Sequence, residues 1–350
     1  MPATSAFWKP FKRRGWMNVN RQVCNLTINE SADGQRLDNF LFKTLKNVPK
    51  SHVYQIIRSG EVRVNKKRAK AQNRLTIGDS VRIPPIFLSN SNFEQKQSAP
   101  FLPKIHIPIL YEDDYLLVVD KPAGLAVHGG SGLNFGIIEI LRQMRADLPF
   151  LELAHRLDRE TSGVLILAKK RAALKHLHEI FKEKNLKKEY LTLVWGKFPQ
   201  KNLSCLAPLL KTQMPDGQRF VKVDFQNGKP AQSLFKPIAI WENLSFLNAQ
   251  IFTGRTHQIR VHLAHLGFPV LNDEKYGDFA YNKTLQKHGL KRMALHAHQI
   301  TLPHPVDFSK KITLCAPLES SLLHFIQTQK KPLFEHFIFQ KKFQSTVDFF

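Results

Sequence analysis

The sequence predicts an α+β protein of two domains, a small one of two helices followed by strands and a larger one built mainly from strands. With 350 residues and 43% hydrophobic side chains, the chain can bury a small core and a large one. Before Pro84, apolar positions at helical spacing give way to an alternation of period two. After Ile105, apolar runs of β character outnumber helices and follow no regular βαβ order, which favours a mixed α+β domain.

Two amphipathic helices open the small domain, which we place at residues 35–84. Ser51 is the predicted cap of the second helix and Gly60 its predicted end. Strands follow, because the residues around Val64 and over Ser80–Ile83 alternate between apolar and polar. The apolar positions of the helices are Leu37, Phe40, Leu41 and Leu45 in the first and Val53, Ile56 and Ile57 in the second.

Charge predicts a polyanionic partner. The chain has 52 Lys+Arg against 28 Asp+Glu, a net charge of +24, and nucleic acid is the leading candidate. The alternative is surface charge that only aids solubility, but the basic residues cluster, and no acid lies between Lys66 and Arg74. Phosphate contact is therefore predicted for the small domain. The candidate RNA-binding residues there are Arg58, Arg63, Lys66, Lys67 and Arg68.

Residues 1–34 are predicted to be a basic N-terminal extension and residues 85–104 a linker, because prolines stand there among Ser, Asn and Gln. Residues 105–329 form the larger domain, and residues 330–350 an aromatic-rich tail without an assigned role. The chain has no apolar stretch long enough to cross a bilayer and no secretory leader, so we expect a cytoplasmic protein. Its three cysteines lack metal or disulfide spacing.

Five strands and two helices are predicted in the larger domain from its apolar runs. Gly267 is expected to end the second helix, before Pro269. The strand runs are Leu116 to Val119, Val164 to Ala168, Leu191 to Val194, Phe220 to Phe225 and Phe246 to Ile251, and the helices are marked by Leu174, Leu177 and Phe181 and by Ile259, Leu263 and Leu266.

The segment from His155 to Gly163 is the strongest candidate for an active-site loop. It places the carboxylate of Asp158 between Arg156 and Arg159, just before an apolar strand. Neighbouring guanidinium groups favour the ionised carboxylate and remain available for phosphate. The pattern indicates nucleophilic attack or proton abstraction on a nucleic acid.

The chain resembles a known family in both of its domains. The order helix, helix, hairpin, with Arg36-Leu37-Asp38 and Ser59 to Asn65, is similar to the S4 RNA-binding module. The larger domain resembles the RluA family of RNA pseudouridine synthases, which implies a mixed, largely antiparallel β-sheet. Its motifs are Lys121 to Gly124, His155 to Lys169, Lys188-Glu189-Tyr190 and Gly254 to His262.

The resemblance implies a role for each matching residue. Asp158 matches the family's catalytic aspartate, Tyr190 its active-site tyrosine and Arg260 the arginine that pairs with the aspartate. Arg156 matches the residue thought to enter the RNA stack in place of the extruded base, and His155 and His257 join the expected RNA contacts. By spacing alone, Tyr190 is equally an ordinary strand residue and Arg260 a solvated arginine.

The implied reaction isomerises specific uridines of large-subunit (23S) ribosomal RNA, or of an assembly intermediate, without a cofactor or metal, by a protein expected to be a monomer. Two alternatives stay open: a non-catalytic S4-type ribosome-assembly factor and an enzyme acting on transfer RNA. Glu160 near Asp158 also raises glycosidic hydrolysis, although no water-activating base is evident.

Five histidines, at 257, 262, 265, 296 and 298, invite a metal hypothesis, but their spacing does not place three rings on one helical face. RNA contacts or structural roles are favoured for them. The glycine-rich run Gly129 to Gly132 lacks the lysine of a phosphate loop and is interpreted as a flexible loop near RNA.

Overall fold

The computed structural model describes residues 16–20, 22–45, 48–89, 105–129, 135–183, 186–213, 219–287, 289–329 and 332–335. It divides into two compact units, Met1–Phe101 and Leu102–Phe350, here called the N-terminal and C-terminal units. None of the helices in the described ranges is long and apolar enough to cross a membrane.

The N-terminal unit packs two helices on a four-stranded antiparallel sheet of order β2-β5-β3-β4. Leu37, Leu41, Val53 and Val81 are completely buried between them. A separate antiparallel pair, β1-β6, belongs to the same unit. The elements are β1 Trp16–Asn20, β2 Cys24–Thr27, α1 Leu37–Thr44, α2 Lys50–Arg58, β3 Arg63–Val64, β4 Lys67–Arg68, β5 Ser80–Ile83 and β6 Ile86–Ser89, with a 3-10 turn at Glu30–Ala32.

Several details of this unit differ from the sequence prediction, among them strand β1 within the predicted extension and strand β6 within the predicted linker. Pro49, and not Ser51, is the N-cap residue of α2, and no side chain caps that helix; Ser51 lies inside its first turn. The sheet also includes β2, which the sequence analysis placed in the N-terminal extension, because β2 pairs with β5 over its whole length. Gly60 follows α2 with a φ of +77°, a conformation that suits glycine, as predicted for the helix end.

The C-terminal unit is built on one eleven-stranded sheet. Its main path is β12-β15-β16-β11-β17-β10-β8-β7, with β18 beside β17, β19 beside β15 and β9 beside β10. A separate hairpin joins β13 and β14. The elements are β7 Ile109–Glu112, β8 Leu116–Lys121, α3 Ile137–Met144, β9 Glu152–Leu153, β10 Ser162–Ala168, α4 Arg171–Ile180, β11 Lys187–Trp195, β12 Leu203–Cys205, β13 Leu209–Gln213, β14 Arg219–Val223, β15 Ser233–Ile240, β16 Leu244–Ile251, α5 Gln258–His265, α6 Phe279–Lys287, β17 Leu295–Pro303, β18 Lys311–Cys315, α7 Ser320–Gln327 and β19 Phe334–Glu335.

The central strand β10 positions the candidate loop. All seven of its residues are buried, and it pairs antiparallel with β8 and parallel with β17. That parallel pair is the exception in an otherwise antiparallel sheet, as the resemblance implied. At Gly163 the φ of +107° and the carbonyl of Ala297, 2.2 Å from where a Cβ would stand, both require glycine. The loop before β10 is therefore set against the start of β17.

The five predicted strands and two predicted helices correspond to β8, β10, β11, β14, β16, α4 and α5. The remaining strands and the helices α3, α6 and α7 were not predicted. Part of the predicted tail belongs to the sheet, because Phe334 in β19 pairs with β15. Its other phenylalanines, Phe337, Phe339, Phe343, Phe349 and Phe350, and most of the run from Gly129 to Gly132 lie outside the described residues.

Candidate active site

Two groups of hydrogen bonds fix the loop that carries Asp158. On one side the ammonium of Lys121, which is completely buried, donates to the carbonyls of Pro122, Leu125 and Arg159 at 2.7–3.0 Å. Burial lowers the pKa of Lys121 to about 7, and the three carbonyls satisfy all of its donors. The loop is thereby tied to the Lys121 to Gly124 turn.

On the other side, the exit of the loop is held by Ser162, Arg292 and His296. The Ser162 hydroxyl lies 2.8 Å from Nδ1 of the buried His296 and accepts a 2.7 Å hydrogen bond from Arg292. Burial lowers the pKa of His296 to about 3, so the ring is neutral. Arg292 is anchored in turn by Glu319 at 3.0 Å. This network joins the loop to the beginning of β17.

The turn before α5 forms the opposite wall of the site, and the side chain of Gln258 organises it. Its Oε1 accepts from the Thr253 hydroxyl and the Arg255 amide, while its Nε2 donates to Gln232 and Ser233. The preceding residue, His257, has a φ of +53°. Left-handed backbone at a residue other than glycine costs on the order of 1 kcal/mol, so the surrounding bonds hold His257 in place.

Arg260 joins Asp158 to a second carboxylate, that of Asp273. Its Nε and Nη2 each donate to Asp273 at 2.7 Å, and its Nη1 lies 3.5 Å from Oδ2 of Asp158. The Arg260 side chain is only 8% exposed and that of Asp273 is completely buried. The expected pairing with Asp158 is therefore present but long, and the fork of the guanidinium is held by Asp273.

His257 and Tyr276 complete the surroundings of the carboxylate. His257 Nε2 lies 3.8 Å from Asp158 Oδ2, and its Nδ1 lies 2.8 Å from the Tyr276 hydroxyl. That hydroxyl also accepts from the amide of Val221 in β14. Burial lowers the pKa of His257 below its usual range, although the charge of Asp158 acts in the opposite direction. The Tyr276 ring packs against Arg260, 5.0 Å from ring centroid to guanidinium carbon.

Tyr190 projects from β11, opposite Ala297 of β17. Burial raises the pKa of Tyr190, and the negative charge of Asp158 adds to that shift, so the phenol keeps its proton at neutral pH. Tyr190 is half-buried, and its neutral phenol offers a flat apolar face and one hydroxyl to the space beside Asp158.

A cavity of about 120 Å³ lies among these groups. It is lined by five of the residues selected from the sequence, namely Arg156, Asp158, Tyr190, His257 and Arg260. Arg156 is exposed, whereas Asp158 is 21% exposed, so the carboxylate can be reached from solvent. The cavity combines an accessible carboxylate, a neutral imidazole, an aromatic ring and fixed cations.

Two other sequence assignments, those of His155 and Arg159, look different in the structure. His155 does not line this cavity: its Nε2 accepts the Ile166 amide at 3.0 Å and its ring stacks on Phe181, an arrangement that argues against the RNA contact we assigned to it. Burial, with the nearby charge of Lys188, lowers the pKa of His155 to about 4. Arg159, 58% exposed, donates to Gly124 and lies 3.5 Å from Glu160 instead of contacting Asp158.

Sequence reasoning missed Asp273 and Tyr276. Asp273 follows a buried Leu271-Asn272 turn, and no periodicity or motif that we used separates it from an ordinary turn aspartate. The usable signal was that Arg260, if buried beside Asp158, would need a carboxylate that pairs with it at hydrogen-bond distance. Tyr276, three residues on, likewise has no local pattern that points to the site.

Two of the other histidines of the metal hypothesis, His262 and His298, lie within hydrogen-bond distance of protein groups. His262 lies 2.9 Å from both Ser233 and the Ala207 carbonyl, and His298 lies 2.9 Å from the Ala316 carbonyl. Within the part of the chain that the structure describes, no group of three His, Cys, Asp or Glu side chains is arranged to hold a metal ion. Glu160, the carboxylate of the hydrolysis alternative, is not among the residues lining the cavity.

A basic face covers the strands of the N-terminal unit. Arg63 of β3 stands opposite both Arg68 of β4 and Arg82 of β5, so three arginines form a row across neighbouring strands. Cross-strand like charges repel each other unless an anion intervenes. Asn65 and Lys66 form a turn with positive φ at both residues, which carries Lys66 to the tip of the hairpin. All five basic residues chosen from the sequence are exposed: Arg58, Arg63, Lys66, Lys67 and Arg68.

The family model described as RNA pseudouridylate synthase matches residues 115–265, and the S4 domain model matches residues 35–81. Ribosomal large subunit pseudouridine synthase C of Yersinia pestis is 47% identical over 319 residues, which cover 90% of this chain and 98% of that protein. The chain belongs to the RNA pseudouridylate synthase family. The protein of the same name from Escherichia coli is 46% identical over 311 residues, covering 87% of this chain and 96% of that protein. The family resemblance and the S4 module read from the sequence are thus confirmed.

Solved structures of the family share the fold. Human RNA pseudouridylate synthase domain containing 4 is 26% identical, with a TM-score of 0.52 over 63% of this chain and 92% of that one. Human RNA pseudouridylate synthase domain containing 1 is 23% identical, with a TM-score of 0.54 over 69% and 95% of the two chains. At 23% identity, this second comparison supports a shared fold and nothing more.

Proposed function

We propose that this protein isomerises specific uridines of large-subunit ribosomal RNA to pseudouridine, with Asp158 as the catalytic carboxylate. The observation that carries the proposal is the cavity in which Asp158, Tyr190 and Arg260 meet, although they come from separate parts of the chain. The substrate follows from the names of relatives that align over nearly the whole chain. Free ribosomal RNA and a large-subunit assembly intermediate are both candidate forms of it.

The reaction needs the bond between N1 and the ribose C1′ to break, the base to turn, and C5 to bond to C1′. Asp158 acts at the ribose, either by attack on C1′ or by removal of a ribose proton. Arg260, fixed by Asp273, stabilises the carboxylate without being drawn fully onto it, because their contact is 3.5 Å while those to Asp273 are 2.7 Å. Tyr190 supplies the surface on which the detached uracil stays.

A uridine within structured RNA must leave its stack to enter the cavity, at a cost of roughly a few kcal/mol. Arg156 is suited to offset that cost, because its guanidinium is exposed and lines the cavity. A planar cation can fill the vacated position between neighbouring bases. The basic face of the N-terminal unit supplies phosphate contacts that add affinity and little sequence information.

Hydrolysis of the glycosidic bond is the weaker hypothesis for this site. It requires a second carboxylate that delivers water to the sugar, and Glu160 lies 3.5 Å from Arg159 and is not among the residues that line the cavity. A non-catalytic assembly factor has no use for a buried ion pair that presents a carboxylate to a cavity. Transfer RNA as substrate is separated from ribosomal RNA by the experiment below.

The test compares Asp158→Asn with Glu160→Gln, two neutralised carboxylates of the same loop. Ribosomal RNA and transfer RNA labelled with tritium at C5 of uridine are each incubated with the purified proteins, and tritium release and pseudouridine position are measured. We expect wild type and Glu160→Gln to act on large-subunit ribosomal RNA and Asp158→Asn to be inactive. Free uracil as product would favour hydrolysis, activity only on transfer RNA would overturn the substrate, and full activity of Asp158→Asn would overturn the mechanism.

A further inference from the structure

The proposed isomerisation contains a proton transfer that Asp158 does not have to perform. Once C5 has bonded to C1′, that carbon is tetrahedral and still carries its hydrogen. The hydrogen must leave as a proton, so that the electron pair of the C–H bond becomes the C5=C6 double bond. The former N1=C6 pair then moves to N1, which takes a proton. A general base near the base-binding side of the cavity would accelerate this step.

We propose that His257 is this general base and that its Nε2 accepts the C5 proton. The inference rests on the proposed function, since it concerns a later step of the same reaction. His257 lines the cavity beside Asp158, on the wall formed by the turn before α5. The imidazole then returns the proton to solvent, so no further reactant is needed.

The other groups lining the cavity are unsuited to the step. Arg156, Arg255 and Arg260 are permanently protonated and cannot accept a proton. Tyr190 keeps its phenol proton, because burial and the charge of Asp158 raise its pKa. The threonine and glutamine side chains are not bases at neutral pH. Among the described lining residues, Asp158 and His257 are therefore the two proton acceptors, and Asp158 is assigned to the ribose.

The surroundings of His257 fit the role of a base. The Tyr276 oxygen can accept from Nδ1–H as well as from the Val221 amide, which leaves the lone pair of Nε2 on the side of the cavity. Burial keeps the ring neutral before the reaction. When Nε2 takes the proton, the carboxylate of Asp158, 3.8 Å away, stabilises the imidazolium that forms. The 2.8 Å contact between Nδ1 and the Tyr276 hydroxyl orients the ring.

The experiment uses single-turnover reactions of the full-length protein on ribosomal RNA that carries either hydrogen or deuterium at C5 of uridine. For His257→Gln we expect a rate loss on the order of 10²-fold or more. We also expect a larger deuterium isotope effect than in wild type, because breaking the C5–H bond now limits the rate. A purely structural role would slow the reaction without raising the isotope effect.

Two further variants sharpen the test. His324→Gln changes an exposed histidine of α7 that does not line the cavity and should keep the wild-type rate and isotope effect. Tyr276→Phe keeps His257 but removes the hydroxyl beside Nδ1, and should lose part of the rate with a raised isotope effect. An unchanged rate in His257→Gln, or a slower rate with an unchanged isotope effect, overturns the assignment while the role of Asp158 stands. Absence of pseudouridine from the wild-type reaction overturns the proposed function itself.

Discussion

Asp273→Asn tests whether the completely buried carboxylate of Asp273 holds Arg260 in place. The wild-type carboxylate accepts two 2.7 Å bonds from Arg260 and also the amides of Lys275 and Tyr276. Removing one charge of a buried pair costs roughly 3–5 kcal/mol, because the remaining charge is left without compensation. An asparagine keeps the shape of the side chain but places an amide where the guanidinium needs an acceptor. We therefore expect the free energy of unfolding to fall by roughly 3–5 kcal/mol.

Glu274→Gln is the matched control for Asp273→Asn. It removes the same charge one residue away, from an exposed side chain, and should change the free energy of unfolding by less than about 0.5 kcal/mol. Urea unfolding is followed by tryptophan fluorescence in a background with Trp8→Phe and Trp16→Phe. The signal then comes from Trp195 and Trp241 of the C-terminal unit alone.

Activity gives a second measure of the same variant. Without Asp273, the guanidinium of Arg260 has Asp158 as its remaining carboxylate and is expected to move onto it. Without urea, where Asp273→Asn is still folded, we expect its single-turnover rate to be lower than that of the wild type. Equal unfolding midpoints for Asp273→Asn and Glu274→Gln would refute the reasoning, since they would mean that the bidentate pair contributes no more than a surface charge.

Three other predictions concern separate parts of the molecule. The pKa of His155 is lowered to about 4 in the folded protein, against about 6.5 in an unfolded chain. Between these values the unfolded chain binds a proton that the folded protein does not, so the free energy of unfolding falls as the pH drops from 6.5 toward 4. In urea titrations over that interval, the free energy of unfolding of His155→Asn should fall by about 3 kcal/mol less than that of the wild type. Gly163→Ala should destabilise the protein by several kcal/mol more than Gly124→Ala, because only the first places a Cβ against a backbone carbonyl; equal melting temperatures would contradict this. Arg63→Gln should reduce the slope of log affinity against log salt by about 1, which filter binding to ribosomal RNA at several salt concentrations would check.

The parts of the site that the sequence predicted are those encoded locally or in motifs. The Asp158 loop stands directly before a continuous apolar run, so both the loop and the strand β10 were expected where they occur. Spacing alone made Arg260 a solvated residue, and only the family resemblance placed it at the site. Its real setting depends on Asp273, which arrives by a turn after α5 that no local pattern specifies.

The elements that were missed have sequences that obscure their structure. Strand β17 contains His296 and His298, and polar side chains are not expected in a buried central strand. Both rings lie within hydrogen-bond distance of the Ala316 carbonyl, a partner from another segment that the local sequence does not reveal. Strand β15 contains Pro237, which lacks an amide donor and stands where the pairing with β16 shifts register. Helix α6 buries only two of its nine residues, Asn282 and Leu285, so its apolar face is too narrow to recognise.

The distance along the chain between the two sides of the site has a consequence for synthesis. Asp158 and Arg260 are 102 residues apart, and Ser162 and His296 are 134 apart. Contacts between such distant residues form late in folding, because a long loop must close first. The carboxylate of Asp158 therefore reaches the setting described above only after β17 has been made, whereas the N-terminal unit, whose last strand ends at Ser89, can fold long before. The order of synthesis lets the basic face of the N-terminal unit form first and the proposed catalytic site last.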